Sequence, residues 1–590
     1  MRSKAFSQIF SLVIFSLFCM IMGSSFASSY NSGDIGLLTV SEGANNTERG
    51  GIAHLHLEVR PGNGRIFIDS FPLSKIDTQI TMRFASEVAC DILEKDCSNY
   101  DFFYTITANS AVVGGPSAGA ATTVLTVAVL DGQTLDNNTI MTGTINSGNL
   151  VGPVAGVPAK ILAAQQAGYD TAIIPAWEDA NNTPGDDLSI KVIRVSKIED
   201  ALYYFTGKNY STNINIDSSK YTEEYYGIMK DVTLDLCTKY GSRNGDSVVF
   251  PDMKKYGVNI TNSSQDNFAL AAAAVKDGSY YSAASFCFGG NVKITSQIFK
   301  DYDKTQLKIE YAELLSNIAG MENDLKKKSE NINSISELET YMIVAQRLAE
   351  SSDIIRHMNP ENISAQQLAY AKERYATAIV WEKFYDLPGQ KFVLDKDLQK
   401  VACSKKLSEA EERINYLELY YPDASIRDEL ADAYKYYYDG DYALCIFQSS
   451  QVKADSNIVL SAIFVAGNDT SKLLDEKLAA AQKVMAKEAK NGVFPILGYS
   501  YYEYANTLKN SDQYSALLYS EYSLELGHID MYFKKRDLLD ISNAAKIDPR
   551  TFIVGILCGF IIAYGLFTVQ RIYYAKKRNR VNNKNSKKRK

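Results

Sequence analysis

Gly114-Gly115-Pro116-Ser117-Ala118-Gly119 and Gly156-Val157-Pro158-Ala159-Lys160-Ile161-Leu162-Ala163-Ala164 are the two segments around which the first third of the chain is read. The first is a glycine-rich turn that opens a helix of small residues, from Ser117 to Asp131-Gly132. In the second, Pro158 suits the first turn of a helix, and Gly168 closes it. Ile52 to Val59 alternates apolar and polar residues, the pattern of a half-buried strand. After the turn Pro61-Gly62-Asn63-Gly64, Arg65 to Asp69 reads as a second strand. Asp77 to Leu93 has helical spacing. Phe102 to Asn109, Met141 to Ile145 and Thr171 to Pro175 read as further strands. Residues from about 35 to 205 therefore predict an α+β domain.

A serine hydroxyl becomes a useful nucleophile only when a base takes its proton. Histidine is the usual base, but the chain has only His54, His56, His357 and His528, none in a setting that suggests a triad. His54 and His56 fall on one face of a strand, where a solvent-facing pair is expected rather than a metal site. Lysine can serve instead if its amine is neutral, which burial or nearby positive potential favours. Lys160 has apolar neighbours and sits in the first turn of its helix, at the positive end of the helix dipole. Ser117 is followed by small residues and a helix start, where backbone N–H groups can face an oxyanion. The pair reads as a Ser–Lys dyad, with Gly115 and Pro116 shaping the turn. The plainer alternatives are an exposed helix lysine and a turn that binds phosphate or merely packs closely. No Gly-x4-Gly-Lys-Ser/Thr loop occurs, and neither a cofactor nor a metal is expected.

The chain has 590 residues, enough for two or three domains, and is 46% hydrophobic. Its net charge of −7 and the scarcity of Lys/Arg clusters before the C-terminus argue against a nucleic-acid partner. Beyond about residue 215, amphipathic helical patterns dominate. Three stretches resemble one another: those starting at Asp277, Asp439 and Ser511, each a polar turn, a tyrosine and a small or apolar helix. Such units recur in tetratricopeptide-like helix pairs, so a helical-repeat array is the expectation for this region; a plain bundle is the alternative. Lys304 to Ile335 is charged and periodic, and reads as a longer helix or a local coiled-coil arm.

The two ends are hydrophobic. Residues 1–27 have the build of a secretory signal: Arg2 and Lys4, an apolar run from Ile9 to Met22, and Ser25-Phe26-Ala27 at a cleavage site. The uncharged run 551–569 is long enough to span a bilayer, and the basic tail 570–590 is expected on the cytoplasmic side. The expected organisation is a signal peptide at 1–27, an α+β domain at 28–210, a helical region at 211–550 outside the cytoplasm, a membrane span and a tail. Sequons at Asn45, Asn137, Asn181, Asn209, Asn259, Asn262, Asn362 and Asn468 all fall in the outer part. So do Cys90, Cys97, Cys237, Cys287, Cys403 and Cys445, an even number that suits an oxidising compartment. Six cysteines allow 15 pairings. Nearest neighbours (90–97, 237–287, 403–445) are the expected set, with buried free thiols as the alternative.

Residues about 50–180 resemble the proteolytic domain of Lon-type serine proteases, most of all the archaeal membrane-associated branch that lacks an ATPase domain. The resemblance runs in order through GRIFID from Gly64, IDTQITMRFA around Asp77, GGPSAGAA around Ser117, MTGTI from Met141, LVGPVAGVPAKILAA ending at Ala164 and YDTAIIP ending at Pro175. It implies that Ser117 is the nucleophile, Lys160 the general base and Thr142 the residue that helps hold the lysine. It also implies protein or peptide substrates, and it is compatible with a homo-oligomeric ring. Two positions depart from the family pattern: Gly114 replaces a common aspartate, and Thr144 replaces the glutamate of the family's Gly-Glu. The resulting expectation is a membrane-anchored, ATP-independent endopeptidase of unfolded or flexible chains. A non-catalytic surface scaffold with the same fold is the alternative, and self-processing is a third reading.

Overall fold

The computed structural model describes residues 31–42, 48–177, 189–211, 220–245, 247–258, 266–387, 394–422, 424–465, 470–490 and 492–533, with isolated positions between 564 and 578. The expected signal peptide lies outside these residues, and so does most of the expected span at 551–569. Among the described residues no helix is long and apolar enough to cross a membrane. Contacts group residues 1–534 into one unit and 535–590 into another.

The α/β region contains β1 (Asn31–Glu42), β2 (Glu48–Pro61), β3 (Ile66–Ser74), α1 (Ile76–Ile92), β4 (Tyr100–Val113), a single tight turn of helix (Pro116–Ala118) and α2 (Gly119–Asp131). It continues with β5 (Thr139–Met141), β6 (Thr144–Asn146), β7 (Leu150–Gly152), α3 (Val157–Gln166), β8 (Thr171–Pro175), β9 (Lys191–Val195) and α4 (Ile198–Thr206). Seven strands form one mixed sheet in the order β3-β4-β2-β1-β5-β8-β9. Successive side chains of a strand point to opposite faces. Accordingly Leu37, Met141 and Ile173 join the core against α1, α2 and α4, while Leu38, Ile140 and Ile174 join the core against α3. The two helices that follow the key segments thus lie on opposite faces. β1, β5, β8 and β9 run parallel, and the site forms beyond the carboxyl end of β5. That is where open parallel sheets leave room for chemistry.

α2 is buried along nearly its whole length, which explains its lack of a polar face. Its threonines satisfy their own hydroxyls: Thr122 donates to the Ala118 carbonyl and Thr123 to that of Gly119, each at 2.9 Å. Two boundaries differ from the sequence reading. The helix expected from Ser117 begins with the tight turn and becomes α-helical only at Gly119. The single strand expected over Met141–Ile145 is broken at Thr142-Gly143, because Thr142 pairs by its N–H with Ile173 and Gly143 by its N–H with Ser117.

The helical region holds α5 (Lys220–Cys237), β10 (Ser242–Asn244), β11 (Ser247–Val249), α6 (Asn267–Lys276), α7 (Tyr280–Lys300), α8 (Lys304–Lys328), α9 (Ile335–His357), α10 (Ala365–Trp381), α11 (Lys396–Glu418), α12 (Ala424–Asp439), α13 (Tyr442–Phe464), α14 (Thr470–Lys490), α15 (Ile496–Leu508) and α16 (Gln513–Leu526). The helix expected over Lys304–Ile335 stops at Lys328, and Ser334 starts a new one by accepting from the Glu337 N–H. The three similar stretches open α7, α13 and α16. Each is the second member of a packed helix pair: α6 with α7, α12 with α13, α15 with α16. Disulfides join Cys90 to Cys97, Cys237 to Cys287 and Cys403 to Cys445, the nearest-neighbour set. The three sequon asparagines that are described, Asn137, Asn209 and Asn362, are exposed.

The α/β and helical regions share a charged contact. Lys405 pairs with Glu87, Lys487 with Asp91 at 2.5 Å, Lys483 with Glu199 at 2.6 Å and Lys197 with Glu476 at 2.7 Å. At its centre the buried Glu525 accepts from Ser147 at 2.8 Å and from Lys406 at 2.7 Å, with Lys453 3.1 Å away. Burial pushes the Glu525 carboxyl up, but the two lysines outweigh it and hold it well below the usual carboxylate range.

Asp455 in α13 is the opposite case. Burial pushes its carboxyl up to about 7, although Tyr522 donates to it at 2.8 Å. Its folded form therefore keeps a proton that the unfolded chain has released, so this group's contribution to stability falls as pH rises from about 4 to about 7. Asp455→Asn, which can still accept from Tyr522, removes this loss, so its stability relative to the parent should be on the order of 3 kcal/mol more favourable at pH 8 than at pH 5. Thermal melts of both proteins at the two pH values check this.

Candidate functional site

Three loops meet beyond β5. Gly115 has φ +99°, a conformation that suits glycine, and turns the chain so that Pro116 is buried and Ser117 is half-buried at the start of α2. Asp77, in the first turn of α1, holds this turn. One of its carboxylate oxygens accepts from the Gly115 N–H at 3.0 Å and the other from the Thr78 N–H at 2.7 Å. The Gly115 amide is therefore engaged by Asp77 and not offered to a substrate.

From the other face of the sheet, α3 supplies Lys160, which is 1% exposed. The helix is seated closely. Gly50 of β2 lies under it, and a Cβ on that glycine would come within 2.0 Å of the Ala159 carbonyl oxygen. Lys160 Nζ donates to Thr142 Oγ1 at 3.2 Å. The same hydroxyl donates to the Ser117 carbonyl at 3.3 Å, which also accepts from the Gly143 N–H at 3.0 Å. Thr142 is thus the shared partner of the serine and the lysine. Gly143 must be small, since a Cβ there would meet Val151 Cγ1 at 2.5 Å.

The helical region braces this site, which nothing in the sequence announced. α11 presents Glu412, Arg413 and Tyr416 on one face. Glu412 accepts from Thr81 at 3.3 Å, Arg413 donates to the Ile145 carbonyl at 3.4 Å, and Tyr416 Oη accepts from the Ala155 N–H at 3.2 Å. Pro116 and Ile145 bound one side of a void of about 10 Å³, and Glu412, Arg413 and Lys453 bound the other. The loop before Lys160 and the floor under Ser117 therefore both rest on helices from the second half of the chain.

His54 is exposed on β2, and His56 pairs with Asp34 at 2.8 Å, the solvent-facing arrangement expected. The sequence reading assigned no metal ligands. Among the described residues, Glu488, His528 and Asp530 place ligand atoms within 4.8 Å of one another. His528 is also 3.4 Å from Asp91.

Residues 80–205 match the family model of the Lon protease (S16) C-terminal proteolytic domain. Among the similar curated proteins is a Lon protease from Paraburkholderia phytofirmans, 27% identical over 161 residues, which is 26% of this chain and 20% of that protein. A Lon protease from Methylocella silvestris is 33% identical over 105 residues, 17% of this chain and 13% of its own. One from Methanosphaera stadtmanae is 28% identical over 141 residues, 22% and 17% of the two chains. The chain thus spans about a fifth or less of the length of these relatives.

Tyr416→Phe removes the acceptor of the Ala155 amide. It should lower stability by ~1 kcal/mol. Amide exchange should speed up at Ala155 and its neighbours but not at the distant α8. Hydrogen-exchange mass spectrometry of the two proteins reads both regions at once.

Proposed function

We propose that this chain is a serine endopeptidase in which Ser117 is the nucleophile and Lys160 the general base. The observation that carries the reading is the Lys160–Thr142–Ser117 connection, with a buried amine, inside the segment similar to the Lon proteolytic domain. Burial disfavours the ammonium and so favours the neutral amine that a base must be. The bond from Nζ to Thr142, whose hydroxyl in turn reaches the Ser117 carbonyl, keeps the amine near the serine turn.

In the proposed reaction Lys160 takes the Ser117 hydroxyl proton as Oγ bonds to the scissile carbonyl carbon. The resulting ammonium gives that proton to the leaving amine as the C–N bond breaks. A water, deprotonated by the same amine, then releases the acyl group from Ser117. In this reading the oxyanion is met by backbone N–H groups of the Ser117 turn other than those of Gly115, Gly119 and Ala120, which Asp77, Pro116 and Gly143 already engage. Thr142 acts through Lys160 as a positioning residue.

The setting belongs to the same proposal. The hydrophobic ends, the basic tail and the sequons support a chain anchored by 551–569 with its main body outside the cytoplasm. The three disulfides fit that compartment. Substrates there would be unfolded or flexible proteins cut without ATP.

The test uses residues 28–550 with unfolded casein and no ATP. Cleavage is expected, with Ser117→Ala and Lys160→Met each at least about a hundredfold slower, ~3 kcal/mol of transition-state stabilisation. Equal melting temperatures would exclude unfolding as the cause. Three equally inert proteins, all folded, would sink the protease reading and leave the non-catalytic scaffold. A wild-type mature mass that differs from that of Ser117→Ala would add self-processing.

A further inference from the structure

A second site lies within the helical region. A chamber of about 410 Å³ opens among α7, α9, α10, α15 and α16, large enough for one or two residues of a peptide. Arg347 of α9 forms part of its wall. The side chain is 6% exposed, and its guanidinium carbon lies 4.6 Å from the centroid of the Trp381 ring. Yet Nε and Nη1 of Arg347 donate to no acceptor among the described residues. A buried guanidinium with idle donors is costly unless something supplies the missing acceptors.

Tyr281 in the chamber wall hydrogen-bonds Arg347, but nothing among the described residues takes Nε or Nη1. The nearby carboxylate, Glu350, is taken by Arg374, which donates Nη2 to one oxygen at 2.9 Å and Nε to the other. Arg374 also reaches Gln346 at 3.3 Å. One cation thus has a carboxylate partner, and the other has only a tyrosine hydroxyl. Burial and the Arg374 charge both work against the Arg347 cation. The remaining walls are neutral and aromatic. Tyr281 packs edge-on to Trp381 and Tyr501, each at 5.9 Å between centroids, and Tyr504 meets Tyr519 at 4.6 Å. The acidity of Tyr281 and Tyr501 is suppressed by burial, so they bring no negative charge.

We propose that this chamber binds a free carboxylate carried on an apolar or aromatic group, as at the C-terminal residue of a peptide. A carboxylate matches the planar fork of Arg347 in a way that a spherical anion does not. The tyrosine and tryptophan faces take the attached apolar group. The site is separate from Ser117 and does not depend on the chain being a protease.

The experiment uses the full chain in mild detergent, carrying Ser117→Ala so that no probe is consumed. Calorimetric titrations compare Gly-Ala-Phe with its C-terminal amide, N-acetylphenylalanine and inorganic phosphate. The acid is expected to bind at least tenfold more tightly than the amide and than phosphate. A tighter tripeptide than N-acetylphenylalanine identifies a peptide end as the ligand; equal affinities identify a small aromatic acid. R347M should abolish the preference for acid over amide without lowering the melting temperature, because it removes an unmatched buried charge. R347K, which keeps the charge but not the fork, should reduce the preference and serves if R347M does not fold. No binding of the acid at millimolar concentration, equal binding of acid and amide, or an unchanged preference in the folded variants overturns the proposal.

Discussion

A lysine amine held out of water makes demands on everything near it. The hydrogen bond from Lys160 to Thr142 fixes where β5 must end, because Thr142 has to leave the sheet to offer its hydroxyl. It also fixes where α2 begins, since the same hydroxyl reaches the Ser117 carbonyl. Neither helix could be moved by an ångström without losing a partner. The close seat of α3 over Gly50 and the Asp77 grip on Gly115 are the means by which the two faces of the sheet are kept in register at that point.

The second half of the chain takes part in that constraint. Its contact with the α/β region is polar, with Glu525 buried between Lys406 and Lys453 and bonded to Ser147. Buried ion pairs add little net stability against apolar packing, but breaking one is severe, because the survivor is left charged and dry. Such a contact specifies geometry more than it glues. Here the geometry specified is that of α11, whose Arg413 and Tyr416 support the loops on either side of the site.

Much of this was legible from local pattern. The alternation in β2, the small-residue run of α2, the strand at Thr171–Pro175 and the three disulfides all follow from neighbours in sequence. Ser117 and Lys160 stood out because glycine, proline and apolar neighbours mark their turn and helix, whereas Thr142 came only with the resemblance to Lon-type domains. What escaped was long-range. Tyr416 and Ala155 are 261 positions apart, and no periodicity links them. Arg347 reads as an ordinary polar residue in an amphipathic helix, and only the packing of several helices shows it to be enclosed. The break at Thr142-Gly143 was hidden because an apolar run reads as continuous strand until its hydrogen-bond partners are known.

The disulfides have a property that comes from their order along the chain. Each of the three joins a cysteine to the next one after it, the partners lying 7, 50 and 42 positions apart. No bridge encloses or crosses another. For a chain that emerges N-terminus first, each of these thiols finds its native partner as the first newcomer, before any later cysteine can compete. From Cys90 onwards, pairing in order of emergence thus reaches the native set with no bond that has to be broken and remade.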